Sequence, residues 1–267
     1  MNIKRYFEYN PELELTVAQI GINKWDWICA NSLSLEDATE IMSFNKFDIL
    51  PVREEAGMSK YFQTVNWGNY SEITLHQIEP KDKIYYRLSF FDLLKRMQED
   101  KSTFYFLTDS KDLLGLISLN NLNCLAVYNY IYQITAGLER TVSSYIRSIA
   151  NEHEIIEILK LTSDKTGKEI LRSYEELKES NAENSIFDHL YFPTLGTILK
   201  RLSPNIPEHQ KSLLKFRKKF SSNNIYGKLR NDVAHPIKPI FTSLKSVERV
   251  NELISDYYEI NEILSSQ

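Results

Sequence analysis

The sequence predicts an α+β protein in two parts, a mixed N-terminal region followed by an all-helical C-terminal half. Three observations carry this. A strand–helix–strand–strand pattern occurs twice between residues 25 and 121, an internal repeat of roughly sixty residues. From residue 122 onward the apolar residues recur at spacings of three and four, the period of a buried helix face. At 267 residues with only eight glycines, the chain is long enough for two cores and suits a helix-rich fold.

Residues 1–24 form a lead-in. Leu13, Leu15 and Val17 alternate, and Ile20 and Ile22 resume the alternation one position out of phase, so a strand or a segment packed on the first domain is expected. The first repeat starts with the apolar run Trp27-Ile28-Cys29-Ala30. Ser34 then caps a helix, Asp37 completes a capping box, and Ala38, Ile41 and Met42 form the buried face. Phe47–Val52 reads as a strand with Pro51 at an edge or an end, and Tyr61–Val65 as its pair. In the second repeat Tyr85–Leu88 precedes a helix capped by Ser89 and Asp92, then the strand Phe104–Asp109, a turn at Ser110–Asp112, and the returning run Leu113–Ser118. The turn-rich stretch from Trp67 to Lys83 joins the two.

The helix with Ala38 and Met42 leading into Ile49-Leu50-Pro51-Val52, and the run Gly115-Leu116-Ile117-Ser118-Leu119-Asn120-Asn121, resemble a tandem pair of cystathionine-β-synthase (CBS) domains, a Bateman module. The likeness covers about a third of the chain. It implies an adenine nucleotide as a regulatory ligand, with Ser118 meeting a phosphate and Asn121 a ribose. Asn121 can exchange hydrogen bonds with ribose hydroxyls, and Ser118 can donate to a phosphate oxygen. The first repeat departs from the motif, having Thr64-Val65-Asn66-Trp67 where it would end in Asp or Asn. The alternative for Ser118 and its neighbours is a helix cap with no ligand.

Beyond Asn121, the residues Leu125, Tyr128, Ile131, Ile134, Leu138, Val142, Tyr145 and Ile149 mark one amphipathic helix of about 28 residues, some ~40 Å long. Glu139, Arg140 and Ser143 lie on its polar face. Further helices are expected over 155–161, 169–179, 186–202 (broken by Pro193) and 210–220, with a last one closing the bundle through Val247, Val250, Leu253, Ile254, Tyr257, Tyr258 and Ile260.

The chemistry concentrates in Gly227–Pro236. Ile225, Leu229 and Val233 give the end of a helix that Pro236 stops, with Ser221–Asn224 as its cap. Asn231 and His235 share a face, and Lys228 lies one turn before Asn231 on the same stripe. Arg230 stands about 140° from His235 by helical geometry, so its length, a frayed end or a second subunit must bring the two together.

The phrase Leu229-Arg230-Asn231-Asp232-Val233-Ala234-His235-Pro236, ending a helix in an all-helical half, resembles the Arg-Asn-x-x-x-His signature of the HEPN superfamily. Thr194-Leu195-Gly196-Thr197-Ile198-Leu199 is similar to a phrase common upstream of it. The resemblance implies a helical domain over 122–267 and a metal-independent ribonuclease of toxin or phage-defence type, with Arg and His supplied across a homodimer interface. His235 would be general acid/base, Arg230 the phosphate clamp, and Asn231 the residue that orients one of them. Glu139 would be the acidic residue from the first helix near that site. The residue types suit RNA cleavage through the 2′-hydroxyl: a histidine exchanges protons near neutral pH, and an arginine holds phosphate oxygens bidentately while charge builds. Alternatively, Arg230 pairs with a carboxylate and His235 favours the negative helix end.

The net charge of −4 argues against a generic nucleic-acid binder, but Lys200, Arg201, Lys211, Lys215, Arg217, Lys218, Lys219, Lys228 and Arg230 face only Glu208 between residues 200 and 230. Lys215, Arg217, Lys218, Lys219 and Lys228 are therefore candidate RNA-binding residues; the alternative is a solvated helix face. Cys29 and Cys124 read as free thiols, and the five histidines show no metal-ligand spacing, so no metal or cofactor is expected for catalysis. The start Met1–Glu8 carries charge where a signal peptide would be apolar, and no run reaches the ~18 apolar residues of a membrane span, so a cytoplasmic protein is expected. Three functions compete: a nucleotide-regulated ribonuclease, a non-catalytic RNA-binding or partner-docking module, and a nucleotide sensor whose helices only dimerise it.

Overall fold

The computed structural model describes residues 15–55, 57–162, 165–180, 185–220, 225–235 and 238–265. The chain is mixed α/β, with its sheets in an N-terminal unit and a helical C-terminal unit, and it divides between Cys124 and Leu125.

Of the two expectations for the lead-in, a strand or a segment packed on the first domain, the N-terminal unit shows the second. Thr16 opens a short helix, α1 (Val17–Ile20), and only Ile22–Asn23 is extended, as β1. The amide of Phe90 donates to the Leu15 carbonyl and that of Val17 to the Leu88 carbonyl, so this segment belongs to the unit's second repeat. Residues 1–14 lie outside the described residues.

The repeat is realised in the topology. Helix α2 (Leu35–Asn45) leads into β2 (Ile49–Glu54) and β3 (Gly57–Asn66), while Ala30 bridges Val52 in parallel. Strand β5 (Lys83–Tyr85), helix α3 (Phe90–Glu99), β6 (Phe104–Thr108) and β7 (Leu113–Ser118) repeat the sequence, β5 parallel to β6 and β6 antiparallel to β7. Both predicted N-caps form, Ser34 Oγ accepting from the Asp37 amide at 3.2 Å and Ser89 Oγ from that of Asp92 at 2.9 Å. The boxes do not close: Asp37 accepts from the Ser32 hydroxyl and Asp92 from the Ser89 hydroxyl instead of from the cap amides. Pro51 sits within β2, an edge strand of its sheet. The Ala30 amide donates to the Pro51 carbonyl on the side away from β3, where the missing N–H breaks no rung.

The stretch expected to join the repeats instead holds a strand, β4 (Asn69–Gln77), paired with β3 around a turn in which Gly68 has φ +76. The sheets run β2-β3-β4 and β1-β7-β6-β5. Tyr61 of β3 meets Phe104 and Phe106 of β6 edge to face, at ring distances of 5.4 and 5.3 Å, and ties the two repeats into one core with Trp27, Ile49 and Leu116.

The C-terminal unit is a bundle around α4 (Leu125–Ile149), 25 residues long. Its buried stripe starts at Val127 rather than Leu125, which is 70% exposed. Then come α5 (Glu152–Leu161), α6 (Lys165–Glu179), α7 (Phe192–Arg201), α8 (Ile225–Ala234) and α9 (Leu244–Ser265). The helix predicted over 186–202 is a 3₁₀ turn, Ile186–His189, followed by α7 with Pro193 in its first turn, where a missing N–H costs no hydrogen bond. The basic segment Glu208–Lys218 is also 3₁₀, with Leu213 and Phe216 buried. Among the described residues no helix is long and apolar enough to cross a membrane.

Candidate active site

Helix α8 carries the Arg-Asn-x-x-x-His phrase. Leu229 and Val233 are buried in the bundle, as is Tyr226, whose hydroxyl donates to the buried carboxylate of Asp256 on α9. The predicted cap at Ser221–Asn224 lies outside the described residues, as does Pro236, but the helix ends where expected, and the His235 amide closes its last turn on the Asn231 carbonyl at 3.0 Å.

Two ion pairs fix the helix. Arg230 Nε lies 3.4 Å from Glu139 Oε2 on α4, and Asp232 Oδ2 lies 3.5 Å from Arg249 Nη2 on α9. The remaining polar side chains, Lys228, Asn231 and His235, are exposed. Arg230 is thus turned toward α4, while Asn231 and His235 keep the outward stripe that helical spacing assigns them.

Glu139 is more than a surface partner. Its other oxygen, Oε1, accepts from the Phe192 amide at 3.0 Å, satisfying one of the unpaired N–H groups at the start of α7. One carboxylate therefore joins α4, α7 and α8. Burial pushes its carboxyl above the ordinary glutamate range, against the opposing pull of the Phe192 amide and the Arg230 guanidinium.

The basic segment is less available than its composition suggests. Lys215 pairs with Glu259 of α9, Lys211 with Glu208, and Lys219 with Glu252 at 2.6 Å and with Asp256. Arg217 is half-buried, and its carbonyl lies under Gly196, where a Cβ would come within 2.2 Å. Lys218 and Lys228 are exposed. Apart from Glu208, the acids that neutralise the run sit on α9, far along the sequence, which is why the charge run reads as open in the sequence.

In the N-terminal unit Ser118 and Asn121 are bonded to one another. Asn121 Oδ1 accepts from the Ser118 amide at 2.8 Å and from its hydroxyl at 2.9 Å, capping the 3₁₀ turn Leu119–Leu122. Gly115 of the same motif has a reason of its own: a Cβ there would lie 2.6 Å from the Ile22 carbonyl of β1. A separate cleft of about 450 Å³ in this unit includes Tyr61, His76, Lys81 and Lys101, with His76 stacked on Tyr61 at 5.3 Å. Burial first, then the Asp82 and Glu79 charges, push the Tyr61 hydroxyl up to about 12.

No family model matches the sequence, and no curated protein matches it either. The chemistry of the site therefore rests on its own residues. Among those described, no three His, Cys, Asp or Glu side chains gather as a metal site would need, and Cys29 and Cys124 are free and half-buried. Sequence spacing singled out Lys228, Arg230, Asn231 and His235 at the end of α8, but not Asp232, which pairs with Arg249. It missed Phe192, whose contribution is a backbone amide, and Arg249, which reads only as one charge on a long helix.

Proposed function

We propose that the chain is a metal-independent endoribonuclease whose site is completed when a second copy brings its α8 against the first, with an adenine nucleotide at the N-terminal unit as regulator. The observation that carries this is the state of Arg230. It meets Glu139 through Nε, yet its side chain is still 43% exposed, so the far edge of the guanidinium can take a phosphate. The same helix leaves Asn231 and His235 in solvent at its end. One copy thus offers a fixed guanidinium and an accessible imidazole on different sides of one helix, which is what a site shared between two copies needs.

In this reading an RNA 2′-oxygen forms a bond to the neighbouring phosphorus as the bond to the 5′-oxygen breaks. His235 takes the proton from the 2′-hydroxyl and delivers it to the departing 5′-oxygen, and Arg230 balances the charge on the non-bridging oxygens. The products are a 2′,3′-cyclic phosphate and a free 5′-hydroxyl. The alternative is a non-catalytic RNA-binding or docking module. It draws on the pairing of Arg230 with Glu139, and the acids that already occupy Lys211, Lys215 and Lys219 favour its docking form over RNA binding.

Incubating purified protein with RNA in chelator, wild type beside His235→Ala, decides between them. Cyclic-phosphate ends made by the wild type and lost in the variant support the nuclease. RNA binding that persists with no cleavage in either supports the docking module.

A further inference from the structure

The polar face of α4 forms one wall of a cleft of about 480 Å³, with Phe187, Asp188 and Leu190 opposite. We propose that this cleft is a second phosphate subsite, which holds the backbone of single-stranded RNA beside the phosphodiester engaged by Arg230. The inference rests on the ribonuclease reading above and names where the strand continues.

Glu139 lines this cleft and is also the partner of Arg230, so the cleft and the guanidinium adjoin across one carboxylate. One of its two cations, Arg140, differs from those of the basic segment, and the other, Arg147, shares its charge with Asp188 as they share theirs with acids. Arg140 is exposed, and among the described residues no carboxylate pairs with it. Arg147 shares Asp188 at 2.8 Å and lies 5.1 Å over the Phe187 ring, which holds its guanidinium at the rim. The two arginines stand two helical turns apart, about 10 Å along α4, so they hold different phosphates of a strand rather than clamp one.

Small hydroxyl side chains make the floor. Ser143 donates to the Phe187 carbonyl at 2.7 Å, which fixes the opposite wall, and exposed Ser144 adds little bulk. Phe187 is only 6% exposed and offers no ring face for a base. The contacts available are to phosphate and sugar, so this subsite adds affinity without reading sequence.

The test measures binding apart from cleavage. Fluorescence anisotropy with 2′-O-methyl RNA, which lacks the attacking hydroxyl, gives affinity and its salt dependence for wild type, Arg140→Ala, Arg140→Glu and the remote control Arg172→Ala. Arg140→Ala should weaken binding roughly tenfold and reduce the salt slope by about 0.7, the loss of one single-strand phosphate contact. Arg140→Glu should weaken it further, and Arg172→Ala should match wild type. Arg140 variants that bind like wild type, or a wild type that does not bind the oligonucleotide, overturn the subsite. Native RNA in parallel separates the two claims. Cyclic-phosphate product from the wild type with binding unaffected at Arg140 removes the subsite alone, whereas Arg140-dependent binding with no cyclic-phosphate product removes the nuclease alone.

Discussion

Glu139 and Arg230 pair across two helices, Oε2 to Nε at 3.4 Å, and the carboxylate is the buried partner, 14% exposed against 43%. The asymmetry means that the acid is structural at least as much as chemical. Arg230 has solvent available in place of Glu139. Among the described residues, Glu139 has only Arg230 and the Phe192 amide.

Truncating the acid should therefore cost more than truncating the base. Glu139→Ala leaves the first amide of α7 unpaired and frees α8 on one side, a loss of about 1–3 kcal/mol. Glu139→Gln, whose amide oxygen can still accept from Phe192, should fall between it and wild type. Arg230→Ala removes a part-exposed charge, screened by solvent, and should cost less than about 1 kcal/mol. Urea denaturation of the three variants gives the order, and an alanine at 139 as stable as wild type would contradict the three-helix joint.

The same carboxyl sets a pH dependence. Burial raises its folded-state affinity for a proton above that of the unfolded chain, despite the Phe192 amide and Arg230. The folded state then binds more protons than the unfolded state in the window just above the ordinary carboxylate range. Stability contributed by this group is full below that window and declines as pH rises through it. Glu139→Gln should flatten this limb of the stability–pH curve, and Arg230→Ala should steepen it by removing a charge that favours the ionised form. Melting temperatures across the acid range provide the check.

Much of this site was legible because it is local. Helical spacing, the helix end at Ala234 and the outward stripe of Lys228, Asn231 and His235 all depend on neighbours within a turn or two, as do the caps at Ser34 and Ser89. What the sequence hid depends on distant partners. Lys215 and Lys219 look unopposed until α9 places Glu259 against the first and Glu252 and Asp256 against the second. Strand β4 was hidden for another reason: it is an exposed edge strand with an irregular burial pattern, and Gly68 at the turn before it reads as part of a linker.

Gly196 links the basic segment to α7. A Cβ at this position would lie 2.2 Å from the Arg217 carbonyl, and a backbone atom cannot swing aside as a flexible side chain would. Gly196→Ala should destabilise the C-terminal unit by about 1–3 kcal/mol, even though alanine favours helix. It should also displace the segment that carries Lys215 and Lys219. Chemical denaturation measures the first effect and proteolysis of the 208–218 segment the second; a more stable variant would mean that α7 and the segment are not in close contact.

Asn121 separates the cap from the ligand in the N-terminal unit. As a cap, it accepts from both the amide and the hydroxyl of Ser118. Asn121→Ala should then cost about 1 kcal/mol without any ligand, and Asn121→Asp, which keeps an acceptor oxygen, should cost much less. As part of a nucleotide site, Asn121 must also respond to AMP or ATP, which should raise the melting temperature of the wild type and do so less for Asn121→Ala than for Asn121→Asp. A wild type unmoved by either nucleotide, together with the predicted stability order, would leave Asn121 as a cap and remove the adenine regulator. A nucleotide shift preserved in full in Asn121→Ala would keep the regulator but move it elsewhere, and the Tyr61–His76 cleft with Lys81 and Lys101 is the next place to mutate.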